Sequence, residues 1–418
     1  MSLLRRNAAA LAAEIMATSP ITVLSGARQV GKSTLMQQLA SNRDARIVSL
    51  DSAVDRAAAE RDPDGFAQQH PSGTLAIDEI QRVPKLLIAV KHATDLNRTP
   101  GRFILTGSAD LLTIRGGQES LAGRAQTVAL DGLSRGEIEG TTEDFAHYAW
   151  NLPNGAVLRD VPDISRRDYL ELSSRSTFPE IRDLTSRQQV RWLNNYSERV
   201  LSKDAAEVSG IQHPDRLRPL LQLIAAENAT EFVAAHVARQ LDIPPRSVPA
   251  YLRALRDVFL VRELPAWGAN LSRRVISKPK VSIADPGLAA ALSGADIDGL
   301  ERDIAGALTG GLVEGFVTSE IAKQRTWSAI DTRLHHFRDS GGREVDLVLE
   351  NPRREVVGVE VKATSSITAR HFRGLEFLRD SLGAAFVAGV VLYTGHRSLR
   401  FGDRLWALPI GSLWRATV

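Results

Sequence analysis

Ile21-Thr-Val-Leu-Ser25-Gly26-Ala27-Arg28-Gln29-Val30-Gly31-Lys32-Ser33-Thr34 is the stretch on which the fold turns. Ile21–Ser25 is a short apolar run of strand length, rich in β-branched residues, and the helix-period segment 32–40 follows the second glycine. Between them, Gly26 to Ser33 fits G-x-x-x-x-G-K-[ST] without a mismatch, in the strand–loop–helix setting that the motif requires. Glycines let successive backbone N–H groups curl around phosphate oxygens, and a helix N-terminus adds its dipole. The residues expected to cradle a nucleotide are therefore Gly26, Ala27, Arg28, Gln29, Val30, Gly31, Lys32, Ser33 and Thr34. Lys32 would reach the β- and γ-phosphates, and the Ser33 hydroxyl would ligate Mg²⁺.

Working outward, the runs 47–50, 74–78 and 102–106 read as further buried strands, separated by helical stretches such as 32–40 and 83–95. Strands alternating with helices imply a parallel sheet covered on both faces. Leu75-Ala-Ile-Asp78-Glu79 is a strand that ends in two acids. Asp78 would hold the metal through water, and Glu79 would polarise a water attacking the γ-phosphate. Phe103-Ile-Leu-Thr106-Gly-Ser108 ends in hydroxyls at what would be the same crevice. Thr106 and Ser108 have two readings, γ-phosphate sensing or orientation of the water, and capping of the following turn. Arg124 follows the Gly116-Gly117 stretch and reads either as an arginine finger, in cis or toward a neighbouring subunit, or as an ordinary surface arginine.

These runs, with Val48-Ser-Leu-Asp51, Ile77-Asp-Glu-Ile-Gln81, Ile104-Leu-Thr-Gly-Ser108 and Ser120-Leu-Ala-Gly-Arg124, resemble the AAA-like ATP-binding proteins of prokaryotes, whose C-terminal region has been catalogued as a domain of unknown function. The likeness extends over most of the chain through Phe178-Pro-Glu180, Tyr251–Leu255, Ala284-Asp-Pro-Gly287, Glu314-Gly-Phe, and the stretch from Glu344-Val-Asp to Glu360-Val-Lys362. Ser33-Thr34 stands where relatives usually carry two threonines, and Ile283 where an aromatic residue is common. The metal-binding hydroxyl survives both changes. The resemblance implies an ATPase, and its relatives often assemble through the ATP site, which implies a homo-oligomer.

Pro- and Asp-rich loops through residues 151–163 mark a boundary. Beyond it the segments 217–226, 231–240 and 247–258 read as three helices joined by short turns, followed by a strand at 259–264. That is the outline of a winged helix-turn-helix. Arg239 to Lys280 holds nine basic and three acidic residues. Arg246, Arg253 and Arg256, with Arg273, Arg274, Lys278 and Lys280 in the hairpin after them, read either as a recognition helix with a basic wing for DNA, or as a solvated face over Leu252, Leu255 and Val258 with the hairpin bridging acidic parts of neighbouring domains.

The C-terminal order is a helix (312–324), strands at 334–338, 344–350 and 356–361, a helix (369–379), a strand (386–393) and a short strand near Leu405. Residues two apart on a strand share a face, so Glu360 and Lys362 project together, with Asp346 on the preceding, antiparallel strand. Asp346 and Glu360 could hold a divalent metal, Glu314 could add a third carboxylate, and Lys362 could orient or deprotonate the attacking water. The element order and Asp…Glu-x-Lys resemble the restriction-endonuclease-like core. An active nuclease and a non-cleaving fold that serves a nucleotide-dependent switch both stand as readings.

The 418 residues contain no cysteine, which excludes disulfide scaffolds, thiolate zinc sites, iron–sulfur clusters and cysteine nucleophiles. Any metal should be a hard, oxygen-ligated ion. No apolar run is long enough to span a bilayer, and the first 17 residues read as an amphipathic helix, so a cytoplasmic protein without a membrane partner is expected. The sequence thus predicts an α/β protein of three modules: an AAA-like P-loop NTPase domain on a parallel sheet (residues 1–150), a helical, winged-helix-like domain (165–300) and a restriction-endonuclease-like α/β domain (305–418). ATP and Mg are its expected cofactors and DNA a candidate partner.

Overall fold

A computed structural model describes residues 4–108, 121–205, 211, 213–268, 278–303 and 306–415. Gly116, Gly117, Arg273 and Arg274 lie outside the described residues.

The N-terminal region is built on five parallel strands, β1 (Ile21–Ser25), β2 (Ala45–Ser49), β3 (Thr74–Asp78), β4 (Phe103–Gly107) and β5 (Ala125–Ala129), in the order β2-β3-β4-β1-β5. β4 lies between β1 and β3, in register with both, with Ser25 opposite Gly107 and Leu105 opposite Ile77. All the strands therefore point their C-terminal ends to one edge, which gathers the phosphate loop, the two acids and the hydroxyls of β4. β1 and β4 are buried along their whole length, as continuous apolar runs require. β2 departs from the expected buried strand: it is an edge strand, and Ile47 is 45% exposed while Val48 turns inward. The other edge, β5, carries Gln126 and Thr127 on its exposed positions.

In the middle region, helix Leu217–Ala226 leads through the short β6 (Thr230–Glu231) to helices Ala234–Leu241 and Val248–Asp257. A hairpin of β7 (Val261–Leu264) and β8 (Lys280–Ile283) completes a three-stranded antiparallel sheet in the order β6-β8-β7. This hairpin does not stand free. Trp267 N–H donates to the His336 carbonyl, His336 N–H donates to Pro265, and Arg262 pairs with Asp131 of the N-terminal region at 3.0 Å.

The C-terminal sheet has six strands in the order β13-β14-β12-β11-β10-β9. β9 (Arg333–Arg338), β10 (Glu344–Glu350) and β11 (Val356–Lys362) form an antiparallel meander. Helix Arg373–Leu382 then crosses over to β12 (Phe386–Tyr393), which runs parallel to both β11 and β14 (Leu405–Pro409). β13 (Leu399–Gly402) pairs with β14 and was not anticipated from the sequence.

Helix Ala307–Gln324 stands at the centre of the molecule and is buried on nearly every side. A helix buried all round must satisfy its polar residues internally. Lys323 Nζ bonds Glu320 at 2.6 Å and the Leu133 carbonyl at 3.0 Å, and Glu320 accepts the Arg135 N–H at 2.8 Å. One contiguous hydrophobic core runs from Ala12 and Leu35 through Leu220 and Leu255 to Phe316 and Trp414. Two smaller cores lie on the outer faces of the two large sheets.

Candidate nucleotide-binding site

The loop after β1 closes tightly over the strand ends. A side chain at Gly26 would place its Cβ 2.0 Å from the Leu130 carbonyl oxygen, so only glycine allows this approach. Gly31 has a φ of +98°, in the left-handed region, and precedes helix Lys32–Ala40 without a side-chain cap. The first N–H groups of that helix are thereby left for an anion. Lys32 is buried, with Nζ 2.9 Å from the Gly26 carbonyl and 2.7 Å from that of Ala27. Burial pulls its ammonium down to about 8, against the raising pull of Glu79 and Asp78.

Facing the loop, the Ser33 hydroxyl donates to Asp78 at 3.0 Å from Oδ1 and 3.1 Å from Oδ2, and Thr106 donates to the same carboxylate. Glu79 takes a left-handed conformation at φ 58°, which turns its N–H onto Thr106 Oγ1 at 3.1 Å. Its carboxylate is held by Gln81 and, at 3.3 Å, by the Ser108 hydroxyl, while Gln81 also donates to Ser108 at 2.9 Å. Six residues from three strand ends thus form one hydrogen-bonded network. Ser33 and Asp78 supply hard oxygen donors side by side, which fits Mg²⁺, and a loop that only glycine can form, beside a buried lysine, fits a nucleotide's phosphates.

A cavity of about 880 Å³ opens over this network, with Gln29, Lys32, Ser33, Asp78 and Glu79 on one wall. Its other wall comes from beyond the N-terminal region: Pro179, Arg182, Trp192, Tyr196 and Arg199. Two contacts join the walls. Arg28 pairs with Asp204 at 2.8 Å, and the Tyr196 hydroxyl donates to the Arg28 carbonyl at 3.3 Å. Arg6 clamps the loop from behind, donating to the Val30 carbonyl at 2.6 Å while paired with buried Glu137 at 3.0 Å. Sequence reasoning missed Arg6, Gln81, Arg182 and Arg199. Gln81 sits two residues beyond Glu79, a local signal; nothing local marks the three arginines.

Arg124 is not brought to this cavity. It forms a two-pronged pair with Asp95 at 2.7 and 2.9 Å, and its carbonyl accepts from Ile21 at the start of β1, the opposite end of the sheet from the phosphate loop. A cis contact with nucleotide is therefore corrected: this arginine holds Asp95 below the usual carboxylate range through that hydrogen bond.

The C-terminal constellation converges, with an unexpected centre. Lys280, read from sequence either as part of a basic wing for DNA or as part of a hairpin bridging acidic parts of neighbouring domains, is 4% exposed at its side chain, as the second reading expects. Its Nζ lies 2.6 Å from Glu314, 2.7 Å from Glu344 and 3.1 Å from Asp346. Lys362 pairs with Glu360 at 2.6 Å, and the second oxygen of Asp346 accepts the Val361 N–H at 2.9 Å. Burial, followed by the nearby Asp346, pushes Glu314 and Glu360 up to about 8. Burial pulls Lys280 down, but the carboxylates of Asp346, Glu314 and Glu344 outweigh it and hold the ammonium charged. Among the described residues no group of three or more acids or histidines is arranged to hold a metal ion. The acids expected to ligate one surround an ammonium instead.

In the basic middle, Arg239, Arg246, Arg253 and Arg256 are exposed. Arg256 is partnered by Asp257 at 3.2 Å and Glu263 at 3.4 Å. No helix among the described residues is long and apolar enough to cross a membrane.

Comparison with known proteins divides the chain along the same lines. Residues 18–139 match the model of the AAA domain, and residues 166–298 and 309–413 match two domains of unknown function, DUF8612 and DUF4143. The chain is 29% identical over 407 residues to the uncharacterized protein Rv2008c of Mycobacterium tuberculosis, spanning 97% of this chain and 83% of that one, and equally to Mb2031c of Mycobacterium bovis. Among solved structures it has a loose similarity to the Walker-type ATPase PABY2304 of Pyrococcus abyssi, with a TM-score of 0.40 and 17% identity over 69% of this chain and 95% of that one. The loop, the parallel sheet and the domain match agree on an AAA-like P-loop fold for residues 18–139.

Proposed function

We propose that the protein binds Mg–ATP in the cavity over the phosphate loop and hydrolyses it. The observation that carries this reading is the network in which Ser33, Asp78 and Thr106 share one carboxylate beside a Glu79 held by Gln81 and Ser108. The loop N–H groups and Lys32 bind and orient the phosphates; Ser33 and Asp78 hold the metal, whose chemistry is charge neutralisation across the phosphates. Glu79, aimed by its three neighbours, accepts a proton from the attacking water. Arg182 and Arg199 bring positive charge from the far wall to the same cavity, so nucleotide would bridge the two regions.

ATP turnover is further proposed to govern what the rest of the chain does with nucleic acid. The three-helix, three-strand middle with its exposed arginines supports a winged-helix-like DNA contact. The meander with Asp346, Glu360 and Lys362 on neighbouring strands supports a hydrolytic site of the restriction-endonuclease-like kind. A second reading, a nucleotide-dependent switch of assembly or partner binding without cleavage, draws on the Lys280 ion pairs, which fill that site, and on the Arg28–Asp204 and Arg262–Asp131 pairs, which tie the loop and the sheet to the middle region.

Phosphate release from Mg–ATP tests the first claim. Wild type should turn over, Lys32→Ala should not, and unchanged turnover in Lys32→Ala would refute it. Incubating single- and double-stranded DNA and RNA with ATP and Mg²⁺ or Mn²⁺ tests the second, where wild type should cleave and Lys362→Ala should not. Nucleotide-dependent changes in mass without any cleavage would favour the switch.

A further inference from the structure

The C-terminal site contains a disagreement between its residues and the metal that its fold implies. Three carboxylates, from two elements, meet at one point: Glu314 on the central helix, Glu344 and Asp346 on β10. Carboxylate oxygens are the donors that a hard divalent ion takes, yet no group of three or more among the described residues is arranged to hold one, and the point is taken by the Lys280 ammonium, within 3.1 Å of all three. Lys280 does not belong to the C-terminal sheet. It enters from β8 of the middle region, a strand fixed in place by pairing with β6 and β7.

Hydrogen bonding marks the centre as unfinished. Glu360 is nine-tenths buried and its Oε2 has no hydrogen-bond partner, while Oε1 is bound to Lys362. A buried carboxylate oxygen without a partner is costly unless a cation or donor reaches it, so this atom points to a ligand that the ammonium does not supply.

We propose that Lys280 is an internal cation that closes the carboxylate centre, keeping a divalent ion out while β8 is docked against the C-terminal sheet. Withdrawal of β8 would remove the ammonium and leave Glu314, Asp346 and Glu360 free to take the metal. The middle region, whose other contacts reach the nucleotide module through Arg262 and Asp131, would then control the site by position alone. This inference rests on the proposed hydrolytic reading of Asp346, Glu360 and Lys362.

The test uses full-length protein without nucleotide and Mn²⁺ as the probe, with binding followed by electron paramagnetic resonance and thermal unfolding followed in parallel. Lys280→Gln should gain one Mn²⁺ site per chain over wild type, bound at least about tenfold more tightly than anything wild type offers. Its midpoint should fall in the absence of metal and recover with Mn²⁺. Lys280→Arg should stay closed, and adding Asp346→Asn to Lys280→Gln should remove the new site. Equal Mn²⁺ binding by wild type and Lys280→Gln would overturn the proposal, as would a Lys280→Gln protein that fails to fold even with Mn²⁺ present. A gained site with no cleavage of any nucleic acid would keep the closure and remove the hydrolytic reading. Mn²⁺-dependent cleavage by wild type, lost in Lys362→Ala, would do the reverse.

Discussion

Glu79 adopts a backbone conformation that costs a residue with a side chain about 1–2 kcal/mol, and the return is that its N–H meets Thr106 while its carboxylate meets Gln81 and Ser108. The proposed general base, held this firmly, should be separable from binding. Glu79→Gln is expected to keep affinity for Mg–ATP and to lower single-turnover hydrolysis by about 10²- to 10⁴-fold; a loss of affinity with an unchanged rate constant would contradict its role. Gly26→Ala should do the opposite, weakening binding first, since its methyl group must push the Leu130 carbonyl away from the loop; an unchanged Kd would show that the loop tolerates the shift. At this scale the sequence was most legible where chemistry is contiguous. The loop and the Asp78-Glu79 pair are runs of neighbours that need only their own strand and helix to be read. Lys280 had two readings in the sequence, and the bridging one holds because the fold brings three acids of another region to it; Arg124 stayed undecided because its partner Asp95 lies on a helix distant from it in the sequence.

The central helix Ala307–Gln324 carries the contacts that bind the outer regions together, and its buried Glu320–Lys323 pair can be removed from one side only at a price. Glu320→Ala leaves the Lys323 ammonium without its counter-ion and should cost about 3–5 kcal/mol in denaturant unfolding; a cost below 1 kcal/mol would mean that the Leu133 carbonyl suffices. Near this helix, Glu143 is buried beside Asn7, and burial raises its carboxyl from 4.5 to about 7. The folded protein therefore holds a proton there that the unfolded chain has released, so this group's contribution is complete below pH 4.5 and is lost as pH rises to about 7. Glu143→Gln should gain on the order of 2–3 kcal/mol over wild type at pH 8 and nothing at pH 4. Equal pH profiles would refute the assignment. Elements with a strong apolar period, such as β1, β4, β10 and β12, were readable from sequence, whereas the edge strands β5 and β13 were not. Three of the five residues of β5 and three of the four of β13 are exposed, so no alternating run marks them.

Across the whole molecule, a continuous core and three sets of ion pairs leave no region standing alone: Arg28–Asp204, Arg262–Asp131 and the Lys280 cluster. Residues 305–418 expressed by themselves would expose Leu312, Phe316 and Ile321, which are buried in the intact chain, and are expected to be poorly packed; a cooperative thermal transition of that fragment would contradict the shared core. The near-balanced total charge hides this architecture, because part of the basic excess of the middle region is spent inside the protein on Asp131, Glu314, Glu344 and Asp346 rather than on a partner. The absence of cysteine agrees with donor sets made wholly of oxygen. The proposed function requires nucleotide to be held between the phosphate loop and the far wall of the cavity. Calorimetric titration of Mg–ATP into wild type, Lys32→Ala and Glu79→Gln measures this most directly. Saturable binding near one nucleotide per chain to wild type and Glu79→Gln, and none to Lys32→Ala, is the predicted result; binding that Lys32→Ala leaves unchanged, or no binding to wild type at millimolar nucleotide, would contradict it.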